Sequence, residues 1–189
     1  MSISLMPILN NNHTYGLLSI FFHWLMALVL IVTFILGLNL EYNFQYYYEV
    51  LMLHNSLGIL IFLLAIFRAC WRWLNIKPDP LTSKKVFMKL ASMIHLFFYI
   101  LFFLIPITGY LLTNLQGDTV SLFGNYLPDI LEKNIHYKQY AHNIHELLGK
   151  IILVMVLLHI VGALYHHYWL KDNTLKRMLF FNKIKSNQE

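Results

Sequence analysis

The residues of this chain best suited to chemistry are its histidines, of which there are ten among 189 residues. Imidazole binds metal ions and passes protons near neutral pH. The chain around these side chains is 58% hydrophobic and only 12% charged. Ionisable groups are costly in so apolar a setting, and where they occur they indicate a functional site.

The apolar composition sets the class of protein that must position these histidines. Disordered chains are far less apolar. A single cysteine, Cys70, argues against a disulfide-stabilised secreted domain. A water-soluble domain of this length could not bury so much apolar surface. The sequence therefore predicts an integral membrane protein.

Four apolar segments are long enough to cross a bilayer as helices, which takes about 20 residues each. Their apolar runs are continuous, whereas transmembrane strands alternate between apolar and polar residues. We therefore predict an all-α, four-helix membrane bundle that forms a single domain over residues 1–189, with a tail at 169–189. The predicted spans cover residues 17–38, 50–73, 90–112 and 144–168.

Basic residues predict the orientation of the bundle. They cluster between spans two and three and again after span four, whereas the connection between spans one and two contains none. Because Lys and Arg favour the cytoplasmic side, both termini are predicted to be cytoplasmic. The net charge of +5 then reflects orientation. Nucleic acid is not an expected partner, since the charges lie at span ends and not on one basic face.

The histidines of the spans fall at two depths. His145 and His159 are 14 residues apart, close to four helical turns, so they lie on one helix face about 21 Å apart. From the direction of each span, His54 is expected at the outer level with His145, and His23 at the inner level with His159. His95 is expected near the inner end of span three, with no partner at its own level.

Two facing imidazoles on different helices suit an iron porphyrin that is held from both sides. Zinc prefers four close ligands and suits such pairs poorly. Gly37 and Gly109 fall at the outer level, where they permit either close approach of a macrocycle or ordinary close helix packing. Arg68 falls at the inner level, either as a partner of haem propionates or as an interfacial anchor.

Several motifs spread over nearly the whole chain point to one family. They are SIFFHW at residues 19–24, HNSLG at 54–58, IPITG at 105–109 and a long final motif that contains His159, HHY at 166–168 and KDNTL at 171–175. Together with Arg68, Arg72 and the pair His145-Glu146, they resemble the bacterial cytochrome b561 family, four-span dihaem proteins of the inner membrane.

The resemblance implies two b haems and no catalytic residue separate from them. The inner haem iron would be ligated by His23 and His159, and the outer haem iron by His54 and His145. The chain is most similar to the superoxide oxidase branch, which oxidises superoxide at the periplasmic face and reduces ubiquinone. In that branch the residue matching His166 lies beside the quinone. Basic residues before span three assist there, and the candidates for the quinone site are Lys84, Lys85 and His95.

Two other functions compete with this interpretation. The chain could be a quinone-linked haem b subunit of a dehydrogenase or hydrogenase, with the partner docked on the outer connection near residues 114–140. It could instead be a metal carrier that uses histidines as stepping sites, although the paired depths argue against this. Membrane lipid is an expected partner in every case, and a homodimer or a redox partner protein remains open.

Overall fold

The computed structural model describes residues 7–40, 45–81 and 85–179. Within them lie four long helices, each long and apolar enough to cross a membrane, which confirms the predicted all-α bundle. Lys84 and residues 180–189 of the predicted tail lie outside the described residues. The helices are α1 (Leu17–Asn39), α2 (Tyr47–Leu74), α3 (Lys85–Gln116) and α4 (Ile135–Tyr168).

The last two helices are longer than the apolar runs predict. The helix α3 begins at Lys85 instead of residue 90, and α4 begins at Ile135 instead of residue 144. The predicted spans include only residues that suit the bilayer interior, whereas a helix continues as long as its backbone hydrogen bonds continue. The side chain of Asn134 fixes the start of α4, because it accepts hydrogen bonds from the backbone N–H groups of His136 and Tyr137.

The bundle carries most of its apolar surface on the outside. The helices pack in chain order, α1 on α2, α2 on α3 and α3 on α4. Buried apolar side chains such as Met26 and Ile61 lie in these contacts, whereas Leu28, Val161 and many others are more than half exposed. Exposed apolar side chains over four long helices are what contact with lipid requires.

The two ends of the bundle are built differently. At the hairpin end, β1 (Ser121–Leu122) pairs antiparallel with β2 (Asn125–Tyr126) in the connection between α3 and α4. The buried hydroxyl of Ser56 ties this hairpin to α2, since it accepts from the Phe123 amide at 2.8 Å and lies 3.1 Å from the Ser121 carbonyl oxygen.

The opposite end, here the terminal end, is covered by residues 7–16, 75–81 and 169–179. We call this last segment the strap. It contains the 3₁₀ turn Lys176–Met178. The indole N–H of Trp24 donates to the Met178 carbonyl at 2.7 Å, and Arg177 donates to the Asp79 carbonyl at 2.6 Å. The strap is thus tied both to α1 and to the connection between α2 and α3.

Candidate functional site

At the hairpin-end level, His54 of α2 faces His145 of α4 across the bundle interior. Their ring centroids are 6.1 Å apart and their planes meet at 78°. Each ring is held through Nδ1: that of His54 lies 3.0 Å from the Thr33 carbonyl oxygen, and that of His145 lies 3.1 Å from the Thr108 hydroxyl oxygen. Both rings therefore have a fixed position and a fixed orientation.

These hydrogen bonds also fix the tautomer of both rings. A carbonyl oxygen only accepts, so His54 donates its Nδ1–H to Thr33. The Thr108 hydroxyl donates its single hydrogen to the Ile105 carbonyl at 2.9 Å, so it accepts the Nδ1–H of His145. In both rings the lone pair is left on Nε2. This is the tautomer of imidazole that binds a metal through Nε2.

Two glycines make room for these rings. A Cβ atom on Gly37 of α1 would lie 3.0 Å from Cε1 of His54, and one on Gly109 of α3 would lie 3.0 Å from Cε1 of His145. Their spacing in the sequence predicted the correct level. In the structure, the space beside each glycine is filled by an imidazole ring, which would have to shift by a few tenths of an ångström to accept an added methyl group.

Replacing Gly37 by alanine should therefore weaken ligand binding by His54 and His145 at the hairpin-end level. Moving a packed ring costs about 1–2 kcal/mol, or about 5- to 30-fold in an equilibrium constant. We expect selective loss of any haem that His54 and His145 bind, measured as haem per chain after purification. Gly58→Ala is the control, since a Cβ there meets no atom within 4 Å. Equal haem loss in both variants would contradict the packing argument.

At the terminal-end level, His23 of α1 faces His159 of α4, with ring centroids 6.1 Å apart and planes at 57°. The expectation that His95 has no partner at its level is wrong. Its ring centroid lies 6.4 Å from that of His159. The reason is that α3, which carries His95, packs directly on α4, which carries His159.

Arg68 of α2 lies at this same level, where its position in the sequence predicts it. Its Nη2 is 3.5 Å from Nδ1 of His23, and its Nη1 is 3.5 Å from the sulfur of Met26. Among the described residues it forms no ion pair with a carboxylate. A partly buried guanidinium with these neighbours suits an anionic group such as a haem propionate.

The geometry of both histidine pairs fits a haem. Two imidazoles on one iron have centroids about 6.4 Å apart, because each metal–nitrogen bond is about 2.0 Å and each centroid lies about 1.2 Å behind its nitrogen. In the part of the chain that is described, no three His, Cys, Asp or Glu side chains form a group suited to hold a metal ion unaided. A pair of imidazoles is the donor set that a porphyrin completes with its own four nitrogens.

The predicted quinone residues lie at the terminal end but do not form one cluster. His166 lies in the last turn of α4. Its Nδ1 is 2.6 Å from Oδ2 of Asp172, and its ring centroid is 6.5 Å from that of Phe87. Lys85 is exposed at the start of α3. His95 is beside His159, two helical turns deeper than His166.

Three partners of the histidines were not predicted from the sequence. The Nδ1 contacts of Thr33 and Thr108 follow from how neighbouring helices are rotated, for which hydrophobic spacing gives no signal. The contact between Asp172 and His166 crosses the end of α4. Its only signal is that an acidic residue follows a histidine by six positions just beyond a predicted helix end.

Comparisons with known proteins agree with this architecture. The family model for prokaryotic cytochrome b561 matches residues 14–181. Cytochrome b561 homolog 2 of Escherichia coli (strain K12) is 36% identical over 92% of this chain and 95% of its own length. The probable superoxide oxidase CybB of Yersinia pestis is 32% identical over 87% of this chain and 95% of its own length.

Proposed function

We propose that this chain, which belongs to the prokaryotic cytochrome b561 family, transfers electrons across the bacterial inner membrane through two b-type haems. One would be held by His54 and His145, and the other by His23 and His159. The observation that carries the proposal is that both pairs have the same centroid separation of 6.1 Å. When bound, each haem would supply one-electron transfer, without an open axial position for oxygen.

The chain itself would set the positions of the two haems and the environment around them. His145 and His159 share the continuous helix α4, which sets the two levels about 21 Å apart. Apolar side chains between the levels, including Phe98, Leu101 and Ile152, exclude water. Arg68 would place a positive charge at the terminal-end level only. This charge would stabilise the more negatively charged state of a cofactor at that level. It would thereby make the two levels electrostatically different.

The proposed electron donor is superoxide and the proposed acceptor is ubiquinone. Support for both comes from the relative named as a probable superoxide oxidase and from the resemblance of the motif around His166. Oxidation of two superoxide anions gives two O₂ molecules and two electrons. Reduction of one ubiquinone consumes two electrons and two protons, so the overall reaction balances once two protons are taken from water.

Rapid mixing tests this proposal. The purified chain should be reduced by superoxide, and the reduced protein should be reoxidised by ubiquinone, both followed by its visible absorption. Chemical reduction with dithionite provides the control for haem that is present but not reached by superoxide. Reduction by dithionite but not by superoxide would reject the superoxide function. It would favour a haem subunit that takes electrons from a protein partner.

A further inference from the structure

We propose that Asp172 is a positioning residue that holds His166 as the proton donor to the reduced quinone. This inference rests on the proposed function, because it assigns a role within the quinone reaction. It concerns a carboxylate that lies outside the four helices. The geometry of the strap carries it.

The hydrogen bond between His166 and Asp172 is short, and the orientation of the carboxylate is fixed. Nδ1 of His166 lies 2.6 Å from Oδ2 of Asp172. The other carboxylate oxygen, Oδ1, accepts the backbone N–H of Thr174 at 2.8 Å, so the carboxylate cannot rotate away without losing that bond. The Asp172 backbone N–H in turn donates to the His166 carbonyl at 3.1 Å.

The strap is folded in a way that delivers this carboxylate to the histidine. After α4 ends, Lys171 adopts a positive φ of 52°, a conformation that side-chain-bearing residues rarely take. This turn reverses the chain and places Asp172 over the last turn of α4. The contacts of Trp24 with Met178 and of Arg177 with Asp79 hold the rest of the strap in place.

The charge of Asp172 suits the role. Burial alone would raise the pKa of Asp172, but the hydrogen bonds from the His166 side chain and from Thr174 outweigh it and hold this pKa below its usual value. The side chain is therefore an anion at neutral pH. The anion accepts the hydrogen on Nδ1 and leaves Nε2 as the ring nitrogen that can exchange a proton with a ligand.

The proton steps balance as follows. Ubiquinone accepts two electrons, which superoxide oxidation supplies, and each of its two carbonyl oxygens gains one proton. One carbonyl oxygen takes its proton from His166: the N–H bond at Nε2 breaks and an O–H bond forms on the quinone. The other carbonyl oxygen takes its proton from water at the terminal end. The neutral ring then takes a proton from water at the terminal end. Throughout, the Nδ1–H bond to Asp172 holds the ring, and with it Nε2, in one orientation.

The experiment uses the full-length, haem-loaded protein, reduced with dithionite and mixed with ubiquinone-1. Asp172→Asn keeps the size of the side chain and an oxygen for the Thr174 N–H, but removes the charge. We expect kcat for quinone reduction to fall about 10- to 100-fold, with KM within about twofold of wild type. Haem content and reduction by superoxide should not change. Asp79→Asn, the same substitution at the same end, is the matched control.

A double variant shows whether Asp172 acts through His166. If it does, His166→Gln combined with Asp172→Asn should be no slower than His166→Gln alone. Asp172→Glu should restore part of the lost rate. Wild-type kcat in Asp172→Asn, or additive losses in the double variant, would overturn the proposal while leaving the proposed function intact. Failure of the wild-type protein to reduce ubiquinone would reject the proposed function itself.

Discussion

Replacing His145 by alanine is expected to remove one haem from each chain and leave the other in place. The His145 ring is one of two imidazoles at the hairpin-end level, 6.1 Å from that of His54. Loss of one axial ligand leaves the iron with a single protein bond at this level. At the terminal-end level, about 21 Å away along α4, the second pair is untouched. The haem-to-protein ratio should fall to about half of the wild-type value.

The companion variant His54→Ala tests the pairing directly. Because His54 and His145 face each other, both variants should lose the same haem and keep the same residual spectrum. His142→Ala is the matched control on α4, since its exposed imidazole lies 4.0 Å from Glu146, on the outside of the bundle. If His54→Ala and His145→Ala retained haems with different spectra, the assignment of the two levels would be wrong.

The second large effect is expected at the terminal-end level, where three imidazoles compete. The ring centroid of His159 lies 6.1 Å from that of His23 and 6.4 Å from that of His95. We expect His23→Ala to lose the haem of this level and His95→Ala to keep both haems. The physical reason is space: α4 packs on α3, which carries His95, whereas α1, which carries His23, packs on α2. A planar macrocycle therefore has more room between α1 and α4.

The measurement is again haem per chain, taken together with the reduced-minus-oxidised spectrum of each variant. His159→Ala should match His23→Ala, because both remove a ligand of the same iron. Loss of the haem in His95→Ala with retention in His23→Ala would assign the terminal-end iron to His95 and His159. The hairpin-end variants would be unaffected by that correction.

The levels of the histidines were predictable because helix geometry is constant. A separation of 14 residues returns a side chain to nearly the same helix face, so His145 and His159 had to lie on one face of α4. The direction in which each helix crosses the membrane then gave the level of His54 and His23. The same regularity gave the level of Arg68 and of the two glycines. None of this required knowledge of how the helices pack.

What could not be predicted depends on helix ends and on rotation between helices. The partner of His95 was missed, because it depends on the direct packing of α3 on α4, which spacing along one helix does not reveal. The hydrogen bonds from His54 to Thr33 and from His145 to Thr108 depend on the rotation of neighbouring helices. The contact of Asp172 depends on one residue, Lys171, in a left-handed conformation that no spacing rule indicates.

The most direct test of the central claim is the haem content of the purified wild-type chain, measured as the pyridine haemochrome against protein mass. We expect two b-type haems per chain, one for each pair of facing histidines. A single haem per chain would contradict the assignment of two equivalent levels. Absence of b-type haem would contradict the account as a whole.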